Sequence, residues 1–502
     1  MAKGSMPILV GVGQAMSEWD GSNGADGAPS PLSLATDASR AALTDAGVPA
    51  SAIDTLAFVR IFEDSVRGAP HPHGHNQNLP GTLARDLGAS PKRLIYSDVG
   101  GQSPQALANE MAARIHSGEI DAALVAGSEA NRASKGARRH GVDINWADDD
   151  AAEYEDRGLG GQMLSRGEIK HGLVAPAFFY ALFENAIAAR EGRSRSEQRD
   201  AMSRLFQPFT AVASRNPYSQ FPKERTVEFL ATPSPKNYEF ADPFLKWHIA
   251  QDAVNQGGAI LMMSEEKADE LGVDKDKRIY LHGAGEASDD FLSERPQLDG
   301  SWAMQIAIDR ALDQAGKTAE QMAAFDLYSC FPCAVFSSTQ ALGINPFNDS
   351  RSLTLTGGLP FFGGAGNNYS MHGIASMAEW LREHAGKFGL VLANGGWMTK
   401  EAVGVWSTER PDAFKPVETS AKPTEKVELD PAPTSGTIET YTVVHGKDGP
   451  ARGIILGRTD SGARFIAVAD AAGLAELRKD ESPVGRRVSV TTEDEVSTFR
   501  FA

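Results

Sequence analysis

The sequence predicts an α/β protein of two similar halves, followed by a small antiparallel β-barrel. Three observations carry this. A set of segments in the first half recurs in weakened form about 268 residues downstream. Each recurring piece is a helix closed by glycine and followed by an apolar strand. Beyond a proline-rich stretch at 410–435 the apolar period changes to two, and five short strands follow in quick succession.

In chain order, Ile8-Leu-Val-Gly-Val-Gly13 reads as a buried strand and residues 32–46 as a helix with small apolar residues on one face. Residues 39–47 and the strand at 53–58 return as 309–316 and 322–327; residues 111–118, the end of a helix read at 104–117, and the strand at 121–127 return as 377–386 and 388–394. A repeat this long is no solenoid unit and implies two α/β halves packed as a pseudo-dimer. The Gly-rich segments before the second helix of each half then face each other across the pseudo-axis. From about 130 to 245 the repeat pattern is absent, which marks an insertion in the first half. The expected domains are 1–265, 266–409, a linker at 410–435 with Pro411, Pro416, Pro423, Pro431 and Pro433, and a barrel at 436–502. Its strands are read at 437–444, 451–457, 464–468, 486–490 and 497–501.

At 502 residues, 41% hydrophobic and 23% charged, the chain has the composition of a globular protein with a large core. A net charge of −17 argues against nucleic-acid binding, which needs a basic surface, but not against anionic small ligands held at helix N-termini. The two cysteines, Cys330 and Cys333, fit a reducing compartment, and no run of 18 apolar residues predicts a membrane span. Met1-Ala-Lys-Gly-Ser-Met6 carries no apolar signal core, so a cytoplasmic location is expected.

Three further motifs identify a family. Asn216-Pro-Tyr-Ser-Gln-Phe221, then Phe325-Asp-Leu-Tyr-Ser-Cys-Phe-Pro-Cys333 running on to Gln340-Ala-Leu-Gly343, then Gly357-Gly-Leu359 occur collinearly. Over residues 7–408 the chain resembles the thiolase superfamily, in particular the sterol-carrier-protein-type thiolases and the bacterial thiolase-like proteins of the acetyl-CoA acetyltransferase type. The tail resembles the small, OB-like barrel that follows the module in some thiolase-like proteins. The resemblance implies a five-layer α-β-α-β-α fold and CoA-dependent Claisen condensation or its reverse. It also implies dimerisation through the sheet edge of the first half, which the barrel is placed to block or replace.

The family's four catalytic loops are altered here. The nucleophilic cysteine's position, in Val99-Gly-Gly-Gln-Ser-Pro-Gln-Ala-Leu107, falls on Gly100; Gly100, Gly101, Gln102 and Ser103 keep only a helix start, read as an oxyanion or thiolate cradle or as a glycine-requiring turn. In Gly363-Gly-Ala-Gly-Asn-Asn-Tyr-Ser-Met-His-Gly373 the family's histidine becomes Asn367 and its proline Asn368, with His372 one turn later, facing pocket or core. Tyr328 replaces the residue before the Cys-Phe pair; as a phenol it can donate to an oxyanion, or simply pack. Cys330 coincides with a motif position and is read as nucleophile, acid/base or buried hydrophobe. Its spacing to Cys333 is that of a redox pair without the matching strand–helix setting. Asn394 stands in the final loop, where the second cysteine is gone.

Lys135, Arg138 and Arg139 lie in the insertion that family members use to hold CoA, and are read as phosphate contacts or as a solvated loop. The alternating His71, His73 and His75 would point one way from an extended segment. With no carboxylate or cysteine cluster seen nearby in sequence, no metal is expected there, and a loop or a single pocket base is the reading.

The function expected is a thiolase-like acyltransferase acting on a β-keto acid or β-ketoacyl thioester, with coenzyme A as cosubstrate and no permanently bound cofactor. The alternative is a non-catalytic CoA or acyl-CoA-binding protein acting with a partner. A homodimer or partner protein is allowed; nucleic acid and membrane are not expected.

Overall fold

The computed structural model describes residues 4–417 and 420–502, so the readings made on Met1 to Lys3 and on positions 418–419 lie outside the described residues. The first half runs β1 (Pro7–Met16), α1 (Pro31–Ala46), β2 (Thr55–Phe58), α2 (Leu79–Leu87), β3 (Arg93–Tyr96), α3 (Ser103–Ser117) and β4 (Ala122–Glu129). An insertion follows, with α4 (Asn131–His140), β5 (Glu155–Asp156), α5 (Arg166–Lys170), α6 (Pro176–Arg190), α7 (Arg195–Arg215), α8 (Val227–Ala231), β6 (Glu239–Ala241) and β7 (Phe244–Leu245). β8 (Gln256–Ser264) closes that half. The second half comprises α9 (Glu265–Glu270), β9 (Ile279–Ser288), α10 (Trp302–Ala315), β10 (Met322–Leu327), α11 (Pro332–Ala341), α12 (Tyr369–Glu383), β11 (Phe388–Gly395) and β12 (Lys400–Ser407).

The duplication read from the sequence is present in the sheet order. The first half is ordered β1-β8-β4-β2-β3 and the second β9-β12-β11-β10, with the same parallel and antiparallel senses. In the place of β3 the second half has an irregular segment whose Ser352 and Leu353 carbonyls accept from the Phe325 and Leu327 amides. The half-sheets join through a short antiparallel contact of Ile8 with Tyr280 and Leu9 with Ile279. α3 and α12 pack against each other and against both half-sheets, while α1 covers the outer face of the first and α10 that of the second. This is the five-layer arrangement. Its outer interfaces use the same device twice: Gly11 and Gly13 lie against the Ala42 and Ala38 carbonyls of α1, and Gly283 and Gly285 against the Ala311 and Ala307 carbonyls of α10. A Cβ at any of the four would strike backbone, so helix and strand approach more closely than side chains permit.

The tail forms β13 (Ser435–Gly446), β14 (Gly449–Arg458), β15 (Arg464–Ala469), α13 (Ala471–Leu477), β16 (Arg487–Glu493) and β17 (Val496–Phe501). Pairing runs β13-β14-β15-β17-β16 and back to β13, a closed barrel around Ile438, Val443, Ile455, Phe465, Val488 and Phe499. One detail departs from the all-antiparallel expectation. β15 and β17 pair in parallel, because α13 between β15 and β16 reverses the chain before it returns.

The free edge of β3 is covered by β5, where Ile95 faces Glu155 and Tyr96 faces Asp156. The barrel lies elsewhere. Asn185 on α6 donates to the Tyr441 carbonyl at 2.8 Å, and β6 pairs with β13 through Ala241 and Val444. The insertion thus caps one sheet edge and docks the barrel. Among the described residues no helix is long and apolar enough to cross a membrane.

Candidate active site

The starts of α3 and α12 meet, as the pseudo-symmetry requires. The Gly100 amide donates to Oδ1 of Asn367 at 3.1 Å, and the Ser370 hydroxyl donates to the Gly101 carbonyl at 2.7 Å. Asn367 also donates through Nδ2 to the Arg60 carbonyl at 2.8 Å and to Ser65 Oγ at 2.9 Å, so one amide ties both helix starts to the loop after β2. Gly100 has φ 141°, a conformation open to glycine, and a Cβ there would overlap Oε1 of Gln102. A Cβ on Gly101 would overlap the Tyr328 hydroxyl. The volume in which a nucleophilic side chain would project from position 100 is therefore filled by the Gln102 amide.

A buried polar cluster lies behind these tips. Tyr328 directly follows β10 and meets Tyr369 edge-on. Asn394, on β11, donates to the Tyr180 hydroxyl at 2.9 Å and stands 3.8 Å from Sγ of Cys330; Tyr180 comes from α6 of the insertion and donates to the Gly396 carbonyl at 2.9 Å. The β11–β12 register puts Glu401 directly opposite Asn394, hence on the same face of the sheet. Both Glu401 carboxyl oxygens, Asn394 Oδ1 and Gln102 Oε1 are buried without a hydrogen-bond partner. Burial pushes the Glu401 carboxyl well above the carboxylate range, raises the Tyr180 and Tyr328 phenols, and raises the Cys330 thiol to about 12. Burial therefore favours the protonated forms throughout the cluster, and Cys330 stands as a thiol rather than a thiolate at neutral pH. Arg295, whose charge acts on Glu401, is occupied by the Trp397 and Met398 carbonyls and by Thr399 Oγ1 at 2.8–3.0 Å.

A cavity of about 530 Å³ opens beside the first turns of α3. Gln102, Ser103 and Glu401 line it together with Asp98, Glu286 and Lys400. Lys400 bridges Asp98 at 2.9 Å and donates to the Val99 carbonyl at 2.7 Å, which fixes the loop leading into α3.

The remaining predicted residues lie apart from this cluster. His372 is inside the central layer, where its Nδ1 meets Oε1 of Gln14 at 2.8 Å, Nε2 has no partner, and burial lowers its pKa to about 3. Asn368 packs against Gly127 with neither amide atom partnered. Lys135 bridges Asp252 at 2.7 Å, while Arg138 and Arg139 are exposed in the last turn of α4. The histidine run is not an alternating strand. A turn at Gly74 stacks His71 on His75, their ring centres 4.0 Å apart, and sends His73 the other way, buried against Trp146 with Nε2 3.4 Å from the Ser134 carbonyl. Cys330 and Cys333 are both buried free thiols. Sequence reasoning missed Glu401 and Tyr180. The one available signal was an acid at the head of the otherwise apolar strand Lys400–Ser407.

Comparisons with known proteins agree with this architecture. The model for the thiolase-like protein type 1 additional C-terminal domain matches residues 416–495. A crystal structure of a monomeric SCP2-thiolase-like protein type 1 from Mycobacterium smegmatis is 38% identical, with each chain covered in full and a TM-score of 0.84. An acetyl-CoA acetyltransferase of Methanocaldococcus jannaschii is 32% identical over 121 residues, a match that spans 24% of this chain and 29% of the relative. The structure of an Ltp2-ChsH2(DUF35) aldolase shares the fold at TM-score 0.60 and 17% identity, over 82% of this chain and 99% of that one.

Proposed function

The chain belongs to the SCP2-thiolase-like proteins of type 1, and from that premise we propose that it handles CoA thioesters without forming an acyl-enzyme, as an acetyl-CoA acetyltransferase-like protein in which the thiol of CoA replaces the missing protein thiol. The observation that carries this reading is Glu401, a buried carboxyl at the wall of the cavity by α3, with Asn394 opposite it on the sheet and Tyr328 buried behind the helix tips. A buried carboxyl with no partner is costly to keep, and its place beside unpaired acceptors suits a site that binds and protonates. In the proposed step the CoA sulfur attacks the keto carbonyl of a β-keto acid or β-ketoacyl thioester. A C–S bond forms, the C–C bond breaks, and the proton of the CoA thiol ends on the leaving carbon with Glu401 as relay. The Tyr328 hydroxyl is the donor for the oxyanion, a kind of contact worth about 3–4 kcal/mol. Arg138 and Arg139, exposed on α4, are the candidate contacts for CoA phosphates.

A second reading has its own observation. The Gln102 amide fills the space beside Gly100, which favours binding of CoA thioesters without turnover. One experiment separates the two. A panel of β-keto acids and β-ketoacyl thioesters is incubated with free CoA and the protein, products are read by mass, and CoA binding is followed by calorimetry. Turnover that persists in Cys330→Ala and leaves no adduct on the intact chain supports acyl transfer from CoA itself. Binding without turnover selects the second reading, and an acyl adduct on Cys330 defeats both.

A further inference from the structure

We propose that Asp64, His71 and His75 form a binding site for one divalent transition-metal ion of the zinc type, which clamps the loop that carries the Asn367 contacts. The inference is independent of the acyl-CoA reading. The three side chains place Asp64 Oδ1 and one ring nitrogen of each histidine within 4.8 Å of one another. His75 Nε2 is 3.0 Å and His71 Nε2 3.6 Å from the same Asp64 oxygen. Ligand atoms around a tetrahedral zinc stand about 3.3 Å apart when each metal bond is about 2.0–2.1 Å, so a small ion fits between these three after minor movement.

The groups behind the ligands are those a metal centre needs. Nδ1 of His71 faces Oε2 of Glu63 at 3.7 Å, which favours the tautomer that leaves Nε2 unprotonated towards the ion. Oδ2 of Asp64 accepts from the Tyr96 hydroxyl at 2.5 Å, so the carboxylate is held with Oδ1 towards the histidines. A cavity of about 420 Å³, lined by Arg60, Glu63, Tyr154 and the three ligands, gives entry and room for a water in the fourth position. The other cluster of this type, Glu239, Asp242 and His445, already holds the guanidinium groups of Arg195 and Arg199 within 3.1 Å and needs no ion.

The site is tied to the helix tips through one short turn. Ser65, next to Asp64, accepts from Asn367 at 2.9 Å, and the Phe62 amide donates to Glu129 at 2.7 Å. An ion here would order residues 60–76 beneath the start of α12.

The test uses the untagged full chain, stripped by chelation, titrated with Zn²⁺ by calorimetry and with Co²⁺ by visible absorption. The expected result is one ion per chain and the absorption of a four-coordinate nitrogen–oxygen site. His71→Ala and His75→Ala should each weaken binding more than about 100-fold, Glu63→Gln about 10-fold, and His445→Ala should leave it unchanged. Circular dichroism without metal checks folding. His75→Gln, at a partly exposed position, supplies the same reading should the alanine variants not fold. Zn²⁺ binding absent below millimolar concentration, or equal in wild type and in the two histidine variants, would overturn the proposal.

Discussion

The Gly100 amide and Oδ1 of Asn367 are joined at 3.1 Å across 267 residues of sequence, and this bond holds the two pseudo-symmetric helix starts together. Removing the Asn367 side chain leaves a buried amide at Gly100 and an unpaired carbonyl at Arg60. Each orphaned group costs about 1–3 kcal/mol. Asn367→Ala should therefore lower stability by about 2–4 kcal/mol in urea titration, whereas Asn368→Ala, whose amide has no partner, should cost less. Equal losses from the two substitutions would refute the clamp.

Restoring the family's thiol should not restore its chemistry. Gly100→Cys places a Cβ on Oε1 of Gln102 and forces a side chain onto φ 141°. Such strain costs about 1–3 kcal/mol. The expected outcome is a destabilised protein with no acyl adduct by intact mass after incubation with acetyl-CoA. Gly100→Cys combined with Gln102→Ala should regain part of the stability. An adduct on the single variant would show the cradle to be intact.

The thiols offer a simpler check. Burial raises Cys330 to about 12 and pushes Cys333 well up too, so neither should be alkylated by iodoacetamide in the folded protein at pH 8, and both should be in denaturant. The sign for stability follows. Above pH 9 the unfolded chain releases thiol protons that the folded chain keeps, so Cys330 alone removes about 1.4 kcal/mol per pH unit between 9 and 12. Cys330→Ala should flatten that alkaline descent.

Acid should act through the buried histidines. His248 and His372 are lowered from 6.5 to about 3, so below pH 6.5 the unfolded chain gains protons that the folded chain refuses, and stability falls as pH falls. Glu184, raised from 4.5 to about 7, works in the opposite sense between pH 7 and 4.5, where the folded chain holds a proton the unfolded one has lost. Glu184 offsets only one of the two imidazoles, so the urea midpoint should fall gently from pH 6.5 to 4.5 and more steeply below, with a shallower fall in His372→Gln. An identical profile in that variant would mean the imidazole titrates normally in the fold.

The scaffold was legible in the sequence because its signals are local. Apolar strands, helices closed by Gly47, Gly118 and Gly316 in the left-handed conformation, and period-two strands in the tail all sit where the chain pattern puts them. The site was less legible because its members meet only through register and tertiary folding. Glu401 joins Asn394 by cross-strand pairing, and Tyr180 arrives from an insertion with no repeat to anchor it. Asp64 lies seven residues before His71, and only the one-turn helix at Glu63–Ser65 folds the carboxylate back onto the rings. The edge of β3 is covered by two residues, Glu155 and Asp156, too few to read as a strand.

Beside the Asn185 and β6 contacts, one fully buried guanidinium seats the barrel. Arg464 pairs with Glu439 at 2.6 Å inside the barrel and donates to the Ser293 and Arg295 carbonyls of the thiolase-like module at 3.1 and 2.5 Å. The Arg464 and Glu428 backbones are also bonded, at 2.8 Å, so the proline-rich stretch is stitched to the same spot. Arg464→Met keeps the bulk but strands both carbonyls and leaves Glu439 with Arg458 alone. Breaking a buried pair of this kind costs about 3–5 kcal/mol. Because the barrel has its own closed core, the loss should fall on the interface rather than on the barrel fold. The expected signature is cleavage between 410 and 435 in limited proteolysis, releasing a folded C-terminal fragment, with the module's own urea transition little changed. Uniform unfolding without that fragment would show that Arg464 stabilises the barrel itself rather than its seat.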